Sequence, residues 1–282
     1  MSYNLDRFEM KFVITREQRE TLMPELMPRL KADENAMEDA YYPIVSLYYD
    51  TPERDCYWEK IESVPSRRKM RVRVYGSLDG HLPPTVFVEI KHKCDGRGVK
   101  RRLRVPLEEA LRISAGEPQS VKLGVVDTRI VEEIHKLVKE RNFIPCCAMR
   151  YDRQAYADRD PESDLRVTFD TGIAFRFDNL DPIPDDRRFD QFLLPDGYSV
   201  MEVKVTGSVP YWITKMVGEH GCILQGHSKY NNALEAGDEV IHRMLGGKPE
   251  KHHYGITPHS LKAIGVAQVN ALGEGDPVAA AS

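Results

Sequence analysis

The feature that most constrains this chain is a regular alternation of apolar and charged residues in short segments bounded by turn residues. A period of two marks strands that bury one face and leave the other outside the core. Such segments open with Phe8-Glu9-Met10-Lys11-Phe12 and residues 45–49. They continue through 69–75, 86–91 and 99–105, and recur at 149–156, 165–170 and 200–205. Asp79-Gly80 and Asp95-Gly96-Arg97-Gly98 separate consecutive members and read as hairpin turns. About eight strands, mostly antiparallel neighbours, are enough for a sheet to close into a barrel.

Successive strand side chains point to opposite faces, so each segment divides into two lists. One face carries Met10 and Phe12; Met70, Val72 and Val74; Val86, Val88 and Ile90; Leu103 and Val105; Val167 and Phe169; Met201, Val203 and Val205. This is the expected core. The other carries Glu9 and Lys11; Arg71 and Arg73; Glu89, Lys91 and Lys93; Lys100, Arg102 and Arg104; Arg166 and Asp170; Glu202 and Lys204. With Arg153 and Lys229 this second face holds twelve basic and four acidic residues, in a chain whose 40 Lys+Arg against 44 Asp+Glu give a net charge of -4.

One such strand would be an ordinary solvated face. Six with the same bias call for a ligand. If the sheet closes with helices outside, the charged face lines the interior, where like charges repel strongly. An anion with several phosphates suits that interior, because Arg forks and Lys point charges both bind phosphate oxygens. Glu9, Glu89, Asp170 and Glu202 could then hold a hard divalent cation that bridges phosphates.

Helices are fewer. Thr15 and Gln18 form a capping box opening one helix, which Pro24 and Pro28 should break or kink. Val126, Ile130, Ile134, Leu137 and Val138 share a face of a second, bounded by Asn142 and Pro145. A third starts at Ser208 with Pro210 in its first turn, and a fourth runs from Lys229 to Leu245 before Gly246-Gly247. The sequence thus predicts an α+β domain over residues 1–245 and a flexible tail over 246–282. No run approaches the roughly 18–20 apolar residues of a membrane span, and the first residues lack the pattern of a signal peptide. The five cysteines include no CxxC pair, which fits free thiols in a reducing cytoplasm and no zinc site.

The residues resemble the VTC (vacuolar transporter chaperone) domain family, within the CYTH-like or triphosphate tunnel metalloenzyme superfamily, from Arg7 to Leu245. The likeness rests on the order and spacing of Arg7-Phe8-Glu9-Met10-Lys11, Leu47-Tyr48-Tyr49-Asp50-Thr51, Arg71-Val72-Arg73, Val88-Glu89-Ile90-Lys91, Val99-Lys100-Arg101-Arg102, Tyr151-Asp152-Arg153, Arg166-Val167-Thr168-Phe169-Asp170, Met201-Glu202-Val203-Lys204 and Ser228-Lys229-Tyr230. It implies a closed antiparallel β-barrel of about eight strands forming a basic tunnel. It also implies synthesis of inorganic polyphosphate from ATP with release of ADP. Lys11, Arg71, Arg73, Lys91, Lys100, Arg153, Arg166, Lys204 and Lys229 match the family's phosphate-binding positions, Glu202 its metal-binding glutamate for Mn2+ or Mg2+, and Tyr151 part of the same wall; Arg102 sits on the same face. Where the wider superfamily usually reads Glu-x-Glu-x-Lys, Arg7 stands at the first acidic position, which brings the chain nearer the VTC branch than the triphosphatases. A membrane-protein partner is a further implication of the resemblance.

The expected partners are therefore ATP and polyphosphate. A metal-dependent triphosphatase and a non-catalytic polyphosphate-binding module are the rival readings. Nucleic acid is disfavoured, because single-strand sites interleave aromatics with cations and the inward lists are nearly free of rings. Gly96-Arg97-Gly98 reads as a turn, Gly246-Gly247-Lys248 lacks P-loop spacing, and Tyr48, Tyr49 and Trp58 read as packing.

Overall fold

The computed structural model describes residues 7–33, 41–77, 81–95, 97–184, 186 and 188–237, apart from the side chain of Arg7. The Asp79-Gly80 turn, residues 238–245 of the expected fourth helix, and the 246–282 tail lie outside the described residues; the described part of that helix ends at Ala236, with Gly237 at its C-cap. In chain order the elements are β1 (Arg7–Thr15), α1 (Arg16–Leu26), β2 (Leu30–Ala32), β3 (Tyr42–Asp50), α2 (Asp55–Ile61), β4 (Ser66–Tyr75), β5 (Val86–Cys94) and β6 (Arg97–Val105). Then follow α3 (Leu107–Ser114), α4 (Val125–Arg141), β7 (Ile144–Asp158), β8 (Arg166–Arg176), β9 (Gln191–Phe192), β10 (Tyr198–Thr206), α5 (Tyr211–Glu219) and α6 (Lys229–Ala236).

Eight of the strands form one antiparallel sheet in the order β1-β10-β8-β7-β3-β4-β5-β6, with β2 added to β7 and β9 to β8. The alternation places residues as the sequence predicts. Met70, Val72, Val74, Val86, Val88, Ile90, Leu103 and Val105 are buried with Ala110 and Ile113 of α3 and Ile130, Ile134 and Leu137 of α4. Phe12, Ile14, Val167, Phe169, Met201, Val203 and Val205 are buried with Leu22 and Leu26 of α1 and Ile213, Met216 and Val217 of α5. Helices α1, α3, α4 and α5 cover this apolar face, and the charged face forms the inside of a trough.

The expected closed barrel is not what forms: the described sheet curls but stays open, with β1 and β6 as unpaired ends of the strand order. The physical reason lies at β1. Its free edge is taken by the segment before α6, where Phe12 pairs with Leu224 and the Gln225 N–H donates to the Lys11 carbonyl at 2.8 Å. Those backbone groups are no longer available to β6. Side chains, not backbone, span the gap, with Lys91 Nζ of β5 3.6 Å from Glu9 Oε2 of β1.

Helix α6 then crosses the concave side. Lys229 at its start meets β8 and β10, Tyr230 stacks on Tyr48 of β3 with centroids 5.2 Å apart, and Lys69 of β4 donates to Asn231 Oδ1.

Local details differ from expectation in intelligible ways. The Thr15–Gln18 capping box is present, but α1 runs through Pro24 and ends before Pro28; Pro24 is exposed, so water can satisfy the carbonyl it leaves unbonded. Pro210 caps α5 and does not enter its first turn. Cys94 pairs with Arg97, so the β5–β6 connection is two residues long, Arg97 and Gly98 belong to β6, and Asp95 takes the positive φ of 47°. Val126 is exposed and does not join the stripe of α4. The short helices α2 and α3 carry too few turns for their period to stand out in sequence.

Adjacent residues of β5 test the assignment of faces. Ile90→Ala should destabilise the protein by about 2–5 kcal/mol in urea unfolding, as deletions of buried core atoms do. Lys91→Ala should change it by no more than about 0.5 kcal/mol. Equal losses would mean that the faces are wrongly assigned.

Candidate functional site: a cationic trough organised by shared carboxylates

The trough carries two groups of charge. On the β4–β6 wall, register sets Arg71, Glu89 and Arg102 side by side. Glu89 is 2% exposed and is shared by three cations. Arg71 donates Nε and Nη2 to Oε2 at 2.8 and 2.6 Å, Arg102 donates Nε and Nη2 to Oε1 at 2.9 and 2.7 Å, and Lys100 Nζ lies 2.6 Å from Oε1. Burial alone would raise the Glu89 carboxyl, but Arg71, Arg73 and Lys100 outweigh it and hold the group well below the carboxylate range. Arg71 Nη1 also donates to the Tyr48 hydroxyl at 3.1 Å. Arg73, nearly buried, donates to Ser46 Oγ at 3.1 Å and to the Tyr151 hydroxyl at 2.9 Å.

The opposite wall uses β1, β10, β8, β7 and α6. Asp170 accepts both arms of Arg153 at 2.6 and 2.7 Å, and Lys229 Nζ at 2.6 Å. Glu202 meets Lys204 at 2.7 Å, Lys229 at 3.3 Å and Lys11 at 3.7 Å. Glu9 takes Lys11 at 3.1 Å as well as Lys91 across the gap. Burial works against the ionised Asp170 and Glu202, yet the surrounding cations hold both low. Glu9 is held down to about 2 because Lys11, Lys204 and Lys91 together exceed its burial. Lys229 is pushed up by Asp170 and Glu202 against its own burial.

The sequence-predicted residues thus gather in the trough, with one outlier. Arg71, Arg73, Lys100, Arg102 and Tyr151 converge on the first group, and Lys11, Lys91, Arg153, Lys204, Lys229 and Glu202 on the second. Arg166 joins neither: register places it beside Lys204 at one end, where its Nη2 meets Asp33. Sequence reasoning passed over Lys69, which shares the parity of Arg71 and Arg73. Burial pushes its ammonium down to about 8, and it sits over the Tyr230 ring with its nitrogen 5.2 Å from the centroid. The expectation that the inward face is nearly free of rings is corrected too. Tyr48, Tyr75, Phe87 and Tyr151 interleave with the cations, a placement the alternation of their own strands already carries.

The four carboxylates expected to hold a metal are each engaged by ammonium or guanidinium groups, and among the described residues no three His, Cys, Asp or Glu side chains converge as a metal cage. A resident ion held by protein alone does not fit. A hard cation that brings phosphate oxygens and water as most of its ligands needs only one or two carboxylates. Glu202, with Glu9 on the far side of the shared Lys11, fits that more modest demand.

The VTC domain profile matches residues 6–236 of this chain. Subunit 4 of the vacuolar transporter chaperone complex of Schizosaccharomyces pombe is 26% identical over 223 residues, which cover 66% of this chain and 30% of that protein. The chain therefore spans less than a third of the length of this curated relative. Among solved structures, a Bacillus halodurans protein provisionally named an adenylate cyclase aligns over 79% of this chain and 94% of its own, with a TM-score of 0.44 and 10% identity.

The low value of Glu9 has a consequence for stability. Its carboxyl titrates at 4.5 when free and about 2 when folded, so its contribution is complete above pH 4.5 and is lost as pH falls towards 2. Melting temperature should decline over that window, and Glu9→Gln should flatten the decline. An identical decline in the variant would contradict the ion-pair assignment.

Proposed function

The chain belongs to the VTC domain family, and on that premise we propose that it is a polyphosphate polymerase, which transfers the γ-phosphoryl group of ATP to the end of an inorganic polyphosphate chain and releases ADP. The observation that carries the reading is the trough itself: cations from both walls share a few carboxylates, and Arg71, Lys91, Lys100, Arg102 and Lys204 stay part-exposed along it. A chain of closely spaced phosphates can supply anionic partners along the whole length.

In this reaction the bond between the β,γ-bridging oxygen and the γ-phosphorus breaks as an oxygen of the terminal acceptor phosphate bonds to that phosphorus in line. The acceptor oxygen is already anionic, so no serine or histidine nucleophile is required. Catalysis consists of positioning and of offsetting charge on the equatorial oxygens. Arg71 and Arg73, fixed by Glu89, Tyr48, Ser46 and Tyr151, grip the donor phosphates, with Arg166 at the end of the trough. Lys11, Lys91, Lys100, Arg153, Lys204 and Lys229 continue the track for the acceptor, with Arg102 beside them. Mn2+ or Mg2+ bound at Glu202 would supply charge neutralisation and orientation of the triphosphate.

Incubation of the purified protein with ATP and Mn2+ should yield long-chain polyphosphate with stoichiometric ADP, followed together by gel and chromatography. Orthophosphate without polymer would assign the chain to triphosphate hydrolysis, and no turnover despite polyphosphate binding would assign it to binding alone. Arg73→Met should lower kcat/KM by about 100-fold or more while the protein still unfolds cooperatively, because Glu89 keeps Arg71, Lys100 and Arg102 as partners. Loss of folding would make Arg73 a structural residue.

A further inference from the structure

At one end of the trough, where β3 begins and β4 ends, the concave face changes from charge to rings. Tyr42, Tyr75 and Phe87 stand on three adjacent strands, with centroids 6.3 Å apart for Tyr42–Tyr75 and 5.7 Å for Tyr75–Phe87. Tyr42 is buried and Tyr75 packs against the core, which accounts for two of the three. Phe87 is different. It is half-buried, points to the same side as Glu89, and among the described residues belongs to none of the hydrophobic clusters. The guanidinium of Arg102 lies over its ring at 4.3 Å, so the ring already takes a flat, cationic partner.

A large apolar ring on a charged, concave face, outside any core, is suited to a ligand that is apolar and flat at one end and anionic at the other. We propose that this row of rings, with Phe87 at its exposed end, seats the base of a nucleoside triphosphate, so that the donor nucleotide lies with its base at this end and its phosphates directed towards Glu89 and the arginines. The assignment deepens the polymerase reading and rests on it, since it presumes that the donor phosphates lie in this trough. Spacing agrees. Phe87 and Glu89 are two residues apart on one strand, about 7 Å, which leaves room for a ribose between base and first phosphate. Arg102 touches both Phe87 and Glu89, and links the stacking surface to the phosphate-binding group. The opposite end of β4, where α6 crosses and Lys69 donates to Asn231, is left for the acceptor chain.

The test compares ATP with inorganic tripolyphosphate, which shares the phosphates and lacks the base, by isothermal titration calorimetry without turnover. In Phe87→Leu, which keeps apolar bulk but removes the ring, ATP affinity should fall by about 5- to 100-fold, the range measured for losing one base–aromatic stack. Tripolyphosphate affinity should stay within about twofold, which also reports that the variant is folded. Phe87→Tyr should restore ATP binding. Equal weakening of both ligands, or unchanged ATP binding, would overturn the assignment. Wild-type protein that binds tripolyphosphate but not ATP would overturn it while leaving the phosphate trough intact; binding neither would bring down the phosphate reading and the base seat with it.

Discussion

Sharing of buried carboxylates among cations is the interaction on which the rest of the structure depends. Glu89, Asp170 and Glu202 are almost fully buried, and each touches two or more basic side chains. A buried pair of charges gains little net stability over a well-packed apolar pair, but removing one partner is severe because it strands the other. The arrangement therefore contributes less to stability than to placement. It fixes long, flexible side chains in a narrow range of positions and leaves their remaining hydrogen-bonding capacity pointing into the trough. The cost of ordering those side chains is met in folding and need not be met again when an anion arrives.

The same interaction ties the fold's ends together. The sheet does not close through backbone pairing, because the Leu224–Gln225 segment occupies the edge of β1. Closure of a weaker kind comes from Glu9, which reaches Lys91 across the gap, and from Lys229 at the head of α6, which joins Asp170 to Glu202. Tyr230 extends that bridge to the far wall by stacking on Tyr48 and donating to Asp50. A sheet held this way keeps one face packed under helices while the other stays accessible to a long ligand.

Much of this was legible in the sequence because a strand has only two faces. The alternation of Lys69–Tyr75 or Val99–Val105 sets the side of every residue, and the apolar list, the half-buried Met10 apart, is the buried list. Most of the charged list became the trough, and the residues the resemblance to the VTC domain points to are, Arg166 apart, ones that the fold brings together. What was not legible depended on contacts distant in sequence. The pairing of Phe12 with Leu224 spans most of the chain, and no local pattern announces that it will leave the barrel open. Arg166 shares the parity of Asp170, yet its partner Asp33 comes from beyond β2, so its separation from the two main groups could not be foreseen. The carboxylates looked like metal ligands because a sequence shows which face a side chain takes but not which cation reaches it first. The rings of Tyr75 and Phe87 are readable by parity, since Tyr75 shares the parity of Arg73 and Phe87 that of Glu89, but a list of charges does not contain them.

The central claim is that the trough's paired cations are poised to exchange protein carboxylates for a polyanion. The dissociation constant for medium-chain inorganic polyphosphate, measured across a series of KCl concentrations, tests this most directly. Several cations engaging one chain predict tight binding at low salt and a steep loss of affinity as salt rises, with a log–log slope corresponding to several released ions. Absence of binding at low salt, or affinity indifferent to salt, would contradict the account.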